Sequence, residues 1–303
     1  MDCHCIKLMH AVLLWVIAAA AAAAAAGTAS AQTIAPDCQA TCGGVTIPYP
    51  FGTTEGCYLN RNYLITCNNT FSPPKPFLRT GNIEVLNISL VDHYLRVLTP
   101  VGSDCYNEKG GRRQVTARTT LSRFPFSNTR NKFTAIGCDT FAVIMNGMNG
   151  QSISTGCLSM CDSIQSVTNG SCSGIGCCQT SIPKGLLNFN VTVSSFSNHS
   201  DILSFNPCSY TFLTEEDSFN FSSADLIDLQ NRSHVPTVLD WAVGEQTCEE
   251  AQKNLTSFAC QANSICFDSN NDYGYQCNCS AGYQGNPYLP SGCQGICLHS
   301  TAF

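Results

Sequence analysis

Apolar and polar residues alternate along two short stretches, Leu86-Asn87-Ile88-Ser89-Leu90 and Phe189-Asn190-Val191-Thr192-Val193. A period of two sends successive side chains to opposite faces of an extended chain, so both stretches predict strands with one buried face and one wet face carrying the asparagine. Runs rich in β-branched and aromatic residues, bounded by Gly, Pro, Asn and Ser, extend the prediction to Ile83 to Leu90, Tyr94 to Leu98, Phe133 to Cys138, Phe141 to Met145, Leu187 to Val193 and Tyr210 to Leu213. A sustained 3.6-residue period is scarce. Ser223 ahead of Ala224-Asp225-Leu226-Ile227 predicts one short capped helix. The expected fold class is mainly β, with small disulfide-rich modules in an irregular, β-rich body.

One apolar run stands apart, Ala11 to Ala26, preceded by Lys7 and followed by Ala29-Ser30-Ala31. It holds 16 residues before Gly27. That is short of the roughly 20 a membrane-spanning helix needs. Residues 1–31 therefore read as a signal peptide cleaved after Ala31, and no later stretch is apolar for long enough to span a bilayer.

Cysteine decides the compartment. The chain has 21, while Lys, Arg, Asp and Glu together make only 12% of it. Such a density suits disulfides formed in an oxidising, extracellular setting, because a reducing cytosol would leave most thiols unpaired. Nine N-x-S/T sequons, at Asn68, Asn87, Asn169, Asn190, Asn198, Asn220, Asn231, Asn254 and Asn278, agree with a secreted glycoprotein. Twelve cysteines from Cys38 to Cys208 can close on themselves, six more run from Cys248 to Cys293, and Cys297 is left over. Between the sets, the cysteine-free Ser209 to Thr247, with Glu215-Glu216-Asp217 and Ser222-Ser223, reads as loop and linker. Adjacent Cys177 and Cys178 need separate partners, since a disulfide normally holds its Cα atoms about 4.4–6.8 Å apart.

Charge is unevenly spread. Residues 38–135 hold 11 Lys/Arg against 5 Asp/Glu, whereas residues 136–303 hold 3 against 14. A basic first module thus hides inside a net charge of −6. Its densest stretch is Lys109, Arg112 and Arg113, with Arg118 and Arg123 beyond. Exposed cations of this kind steer polyanions, and arginine can grip a carboxylate with two parallel bonds. Tyr49, Phe51, Tyr58 and Tyr63 are candidates for stacking on sugar rings.

The last six cysteines run Cys248-x11-Cys260-x5-Cys266-x10-Cys277-x-Cys279-x13-Cys293, with Gly282-Tyr283-x-Gly285 in the final loop. This resembles an epidermal-growth-factor-like (EGF-like) module over residues 245–293. The resemblance implies pairing of Cys248 with Cys266, Cys260 with Cys277, and Cys279 with Cys293. Calcium-binding versions use acidic residues before the first cysteine. Here Asp268 is present, but Gly244-Glu245-Gln246-Thr247 lacks the pattern, and no metal or cofactor is expected.

Further blocks are Cys38-Gln-Ala-Thr-Cys42-Gly43-Gly44 through Tyr49-Pro50-Phe51-Gly52, then Ala135-Ile136-Gly137-Cys138-Asp139, Gly174-Ile175-Gly176-Cys177-Cys178 and Asp240-Trp241-Ala242-Val243-Gly244. In this order they resemble the extracellular region of plant wall-associated receptor kinases. The resemblance implies a galacturonan-binding-like module at 36–140, an associated Cys-rich segment at 141–240 and the EGF-like module, with residues 294–303 a divergent tail where relatives continue to a membrane span and kinase.

The function expected is binding of de-esterified galacturonan, a cell-wall polyacid, by the ligand-binding set Lys109, Arg112, Arg113, Arg118 and Arg123. The alternative is a decoy or protein-interaction module that recognises a peptide or partner receptor through its EGF-like region. Neither nucleic acid nor a membrane span enters this reading. Catalysis is not expected: carboxylates such as Asp92, Asp104 and Glu215 form no spaced pair, and His93, His199, His234 and His299 sit in no nucleophile or metal pattern.

Overall fold

The computed structural model describes residues 37–148, 151–229, 232–271 and 273–296. The expected signal peptide, the Asn231 sequon and Cys297 lie outside them. The chain opens with two small hairpins, β1 (Thr41–Cys42) with β2 (Val45–Thr46) and β3 (Ile65–Asn68) with β4 (Lys75–Leu78). Strands β5 (Val85–Ser89), β6 (Tyr94–Pro100), β7 (Gly102–Tyr106), β8 (Arg112–Val115) and β9 (Ala117–Thr120) follow. Next come β10 (Asn131–Ile136), β11 (Asp139–Met148), β12 (Gln151–Met160), β13 (Cys177–Thr180), β14 (Asn188–Ser194) and β15 (Cys208–Glu215). Helix α1 (Asp225–Asp228) precedes β16 (His234–Asp240). The C-terminal part contains α2 (Cys248–Gln252) and the pairs β17 (Ser264–Asp268) with β18 (Tyr275–Cys279) and β19 (Tyr283–Gly285) with β20 (Cys293–Gly295).

Three antiparallel sheets form the body, in the orders β13-β10-β15-β7-β8, β12-β11-β14-β9 and β16-β6-β5. The first two sheets share a core in which Phe133, Ala135 and Leu213 meet Ile144, Phe189, Val191 and Val193. The other face of β15 is covered too, because Tyr210 and Phe212 pack with Ile136, Phe221, Leu226 and Val235. The strand is buried on both faces although Ser209, Thr211 and Thr214 interrupt its apolar residues, and Thr211 and Thr214 hydrogen-bond to the Thr134 and Pro236 carbonyls. Residues 209–247 are therefore no linker. Their lack of cysteine carried no information about order, and β15 and β16 bury Leu213, Val238 and Leu239 in the core instead.

All twelve cysteines from Cys38 to Cys208 are bridged, as Cys38–Cys57, Cys42–Cys67, Cys105–Cys208, Cys138–Cys161, Cys157–Cys178 and Cys172–Cys177. Cys177 and Cys178 take different partners, as their adjacency requires. In the C-terminal part the bridges are Cys248–Cys266, Cys260–Cys277 and Cys279–Cys293. This part leans on the body through Trp241, His93 and Tyr288. His93 Nε2 donates to the Cys277 carbonyl at 3.1 Å, and Asn286 Nδ2 donates to the Tyr49 carbonyl at 2.6 Å.

Strand β8 lies at the edge of the first sheet and β9 at the edge of the second, so the chain changes sheets within three residues. Gly102 makes that crossing feasible. A Cβ there would sit 3.2 Å from the Val115 carbonyl oxygen and 3.3 Å from the Ala117 nitrogen. This corner displays the basic stretch.

Candidate functional site

The β7–β8 turn is built by Asn107, whose Oδ1 accepts from the backbone N–H of Lys109 at 3.0 Å and of Gly111 at 2.8 Å. The asparagine thus substitutes for a backbone acceptor, and Lys109 is left exposed at the tip. Alternation along β8 then separates neighbouring arginines. Arg112 and Gln114 share one face, on which Gln114 donates to the Val193 carbonyl of the second sheet at 2.9 Å. Arg113 and Val115 take the other face.

Arg112 donates from Nε and Nη2 to the two carboxylate oxygens of Asp104, at 2.7 and 2.8 Å. The Asp104 side chain is fully buried, and the Tyr106 hydroxyl also donates to it, at 2.8 Å. Burial, followed by that carboxylate, pushes the Tyr106 phenol up to about 12. Tyr106 in turn stacks on the buried His199, ring centroids 5.0 Å apart. The charge of Arg112 is therefore cancelled where it stands. By contrast, Lys109, Arg113 and Arg118 have no side-chain ion pair or hydrogen bond among the described residues, and all three are exposed.

Arg123, the last of the expected five, is a strut. Its side chain is 11% exposed, its Nη1 lies 3.3 Å from Glu245 Oε1, its Nη2 donates to the Gly244 carbonyl, and its guanidinium sits 4.9 Å from the Tyr273 ring centroid. Several other cations of the basic module are likewise engaged. Lys75 pairs with Glu84 within the basic module, while Arg96 pairs with Glu215 and Lys132 with Glu216, so the acidic later half answers part of the earlier positive charge.

The proposed sugar platforms fare differently. Phe51 and Tyr63 are 1% and 0% exposed, packed against Trp241 and Phe124, with the Tyr63 hydroxyl donating to the Ala242 carbonyl at 2.7 Å. Burial holds the Tyr63 phenol well above its ordinary range despite nearby Arg123. Both rings belong to the core. Tyr49 and Tyr58 are half-buried against the same core. Asp268, the residue considered for calcium, accepts from the Cys248 backbone N–H at 2.6 Å and so holds the start of α2.

A cleft of about 340 Å³ opens between the β4–β5 turn and the segment after β9. Arg79, Thr80, Asn82, Thr120, Ser122 and Arg123 supply its polar lining, over an apolar floor that includes Leu78, Leu121 and Phe124. Arg79 is held at φ 56°, and its Nη1 donates to Ser122 Oγ across the opening. Thr120 shares the outward face of β9 with Arg118, so the cleft continues the exposed basic edge. Nothing in the sequence singled out Arg79; its partner lies 43 residues away.

A family model described as wall-associated receptor kinase galacturonan-binding matches residues 38–99, and a second, described as wall-associated kinase, matches residues 169–251. Arg79 lies inside the first match; Lys109, Arg112, Arg113, Arg118 and Arg123 lie between the two. Wall-associated receptor kinase 2 of Arabidopsis thaliana is 42% identical over 270 residues, covering 87% of this chain and 35% of that protein. Wall-associated receptor kinase 5 of the same plant is 42% identical over 266 residues, covering 86% of this chain and 34% of its own length. No solved structure matches. The chain spans about a third of the length of these curated relatives. Two family segments, in order, on a chain aligned with these receptors over most of its own length show that it corresponds to the extracellular region of wall-associated receptor kinases.

Proposed function

We propose that the protein acts as a secreted, non-catalytic, receptor-type ectodomain that binds de-esterified galacturonan of the plant cell wall. The observation that carries this reading is the exposed corner where Lys109, Arg113 and Arg118 have no side-chain partner among the described residues, beside a segment matching a galacturonan-binding family model. Arg112 contributes by stiffening the hairpin rather than by meeting the polymer, since Asp104 already takes both prongs of its guanidinium.

Magnitude sets the mode of binding. Exposed ion pairs contribute roughly 0.2–1 kcal/mol each, so three give at most about 3 kcal/mol, weaker than millimolar affinity for a short stretch of sugar. Retention on a long polymer then comes from repeated engagement along one chain. The test is pull-down on de-esterified and methyl-esterified pectin with the Arg113→Glu/Arg118→Glu double variant. Wild type should be retained on the de-esterified form and released by salt or esterification, and the double variant should be lost while secretion persists. Retention that ignores esterification and salt would favour the second reading, a protein or peptide partner for the EGF-like region. That reading draws on Leu255, Ile265 and Tyr283, which are 78%, 54% and 39% exposed there.

A further inference from the structure

The Arg79 cleft has three properties that a solvated turn does not need. Its lining holds two guanidinium groups and no carboxylate. The Arg123 Nε–H is buried without a hydrogen-bond partner, while Nη1 and Nη2 each donate once, to Glu245 and to the Gly244 carbonyl. A buried cationic donor left unmade is costly, and a ligand acceptor would relieve it. Finally, Arg79 keeps a left-handed backbone at φ 56° that glycine or asparagine adopts with less strain. Strain retained by a charged residue at the mouth of a cleft points to use of its side chain.

We propose that this cleft is a subsite for one uronate sugar, with Arg79 and Arg123 directed to its carboxylate, Thr80, Asn82, Thr120 and Ser122 to its hydroxyls, and the apolar floor to the C–H face of its ring. Arg79 spends one N–H on Ser122 and retains the others for a carboxylate. The cavity, about 340 Å³, is at the small end of ligand sites and suits a single sugar rather than a folded partner. This inference rests on the pectin reading. It adds a fixed point of attachment from which the polymer continues past Thr120 toward Arg118.

The experiment titrates unesterified trigalacturonate, its methyl ester and poly-aspartate into the full chain by calorimetry. Wild type should bind the free trimer and not the ester. Arg79→Gln should weaken trimer binding about tenfold and Arg79→Lys less, since a single ammonium keeps the charge but loses the fork. Thr120→Trp, which fills the opening without changing charge, should also abolish it. Arg113→Glu/Arg118→Glu should lower long-polymer retention more than it lowers trimer affinity, whereas Arg79→Gln should do the reverse. Unchanged trimer binding in Arg79→Gln and Thr120→Trp overturns the subsite and leaves the pectin reading intact. Equal competition by poly-aspartate overturns it in favour of an acidic peptide. A wild type that binds neither trimer nor pectin removes the pectin reading itself, and the subsite with it.

Discussion

The sandwich at residues 102–240 and the C-terminal part at 245–296 are held together by different means. In the sandwich, β15 runs between two strands and is covered on both faces, so apolar burial does most of the stabilising. The C-terminal part has short strands, three disulfides and few buried side chains of its own, chiefly Ala251, Tyr275, Cys277, Tyr288 and Cys293. A module this small cannot bury enough surface alone. It borrows Trp241 and His93 from the body, and the lesson is that its position is set by a few contacts rather than by a broad core.

The sharpest way to break that difference is Trp241→Ala. Trp241 is 1% exposed, lies against Phe51, His93 and Tyr288 with ring centroids 5.3, 5.0 and 5.5 Å away, and donates from Nε1 to the Ser89 carbonyl at 3.0 Å. Its loss should cost about 3–5 kcal/mol and free the C-terminal part before the sandwich melts. Limited proteolysis should cut within 245–296 first; equal protection of both regions would contradict the borrowed-core account.

Acidification probes the same seam more gently. Burial among aromatic rings lowers the His93 imidazole from 6.5 to about 4, opposed in part by the Cys277 carbonyl and Asp92. The unfolded chain takes up the proton first as pH falls, so stability is full above about 6.5 and declines down to about 4, by on the order of 3 kcal/mol. Thermal midpoints should follow this window, and His93→Gln should flatten it. A wild-type midpoint constant from pH 7 to 4 would remove His93 from the seam.

The smallest effect separates neighbours within the basic hairpin. Arg112→Gln leaves the buried Asp104 carboxylate without its cation and should cost about 2 kcal/mol in a denaturant titration, whereas Arg113→Gln should stay within about 0.5 kcal/mol. Equal destabilisation by both would mean Arg113 also has a structural partner.

Much of this architecture was legible where alternation or apolar runs were strong. The strands at 85–89, 94–100, 131–136 and 188–194 fall where their residues indicated. Strand β12 was not legible, because its Ser, Thr and Gly resemble loop residues and only pairing with all ten residues of β11 makes it a strand. Strand β16 was obscured by Pro236, which is tolerated because β16 lies at a sheet edge. The expected helix exists as α1, though its preceding cap position is Ala224 rather than Ser223. Helix α2 had a readable signal that went unused: Thr247 and Glu250 form a capping box. Among the basic residues, sequence gave the stretch but not its division, since whether Arg112 is free depends on Asp104 across the hairpin. Arg79 was illegible because an isolated arginine gains meaning only beside Ser122 and Arg123 in space.

The insertion of β15 between β10 and β7 also dictates when this protein can be finished. Synthesis proceeds from the N-terminus, so both flanking strands leave the ribosome long before residues 208–215 exist to join them. Until then each offers a bare hydrogen-bonding edge to any neighbouring chain. A chain ending before residue 215 would therefore hold an unclosed sheet, with the edges of β10 and β7 left bare.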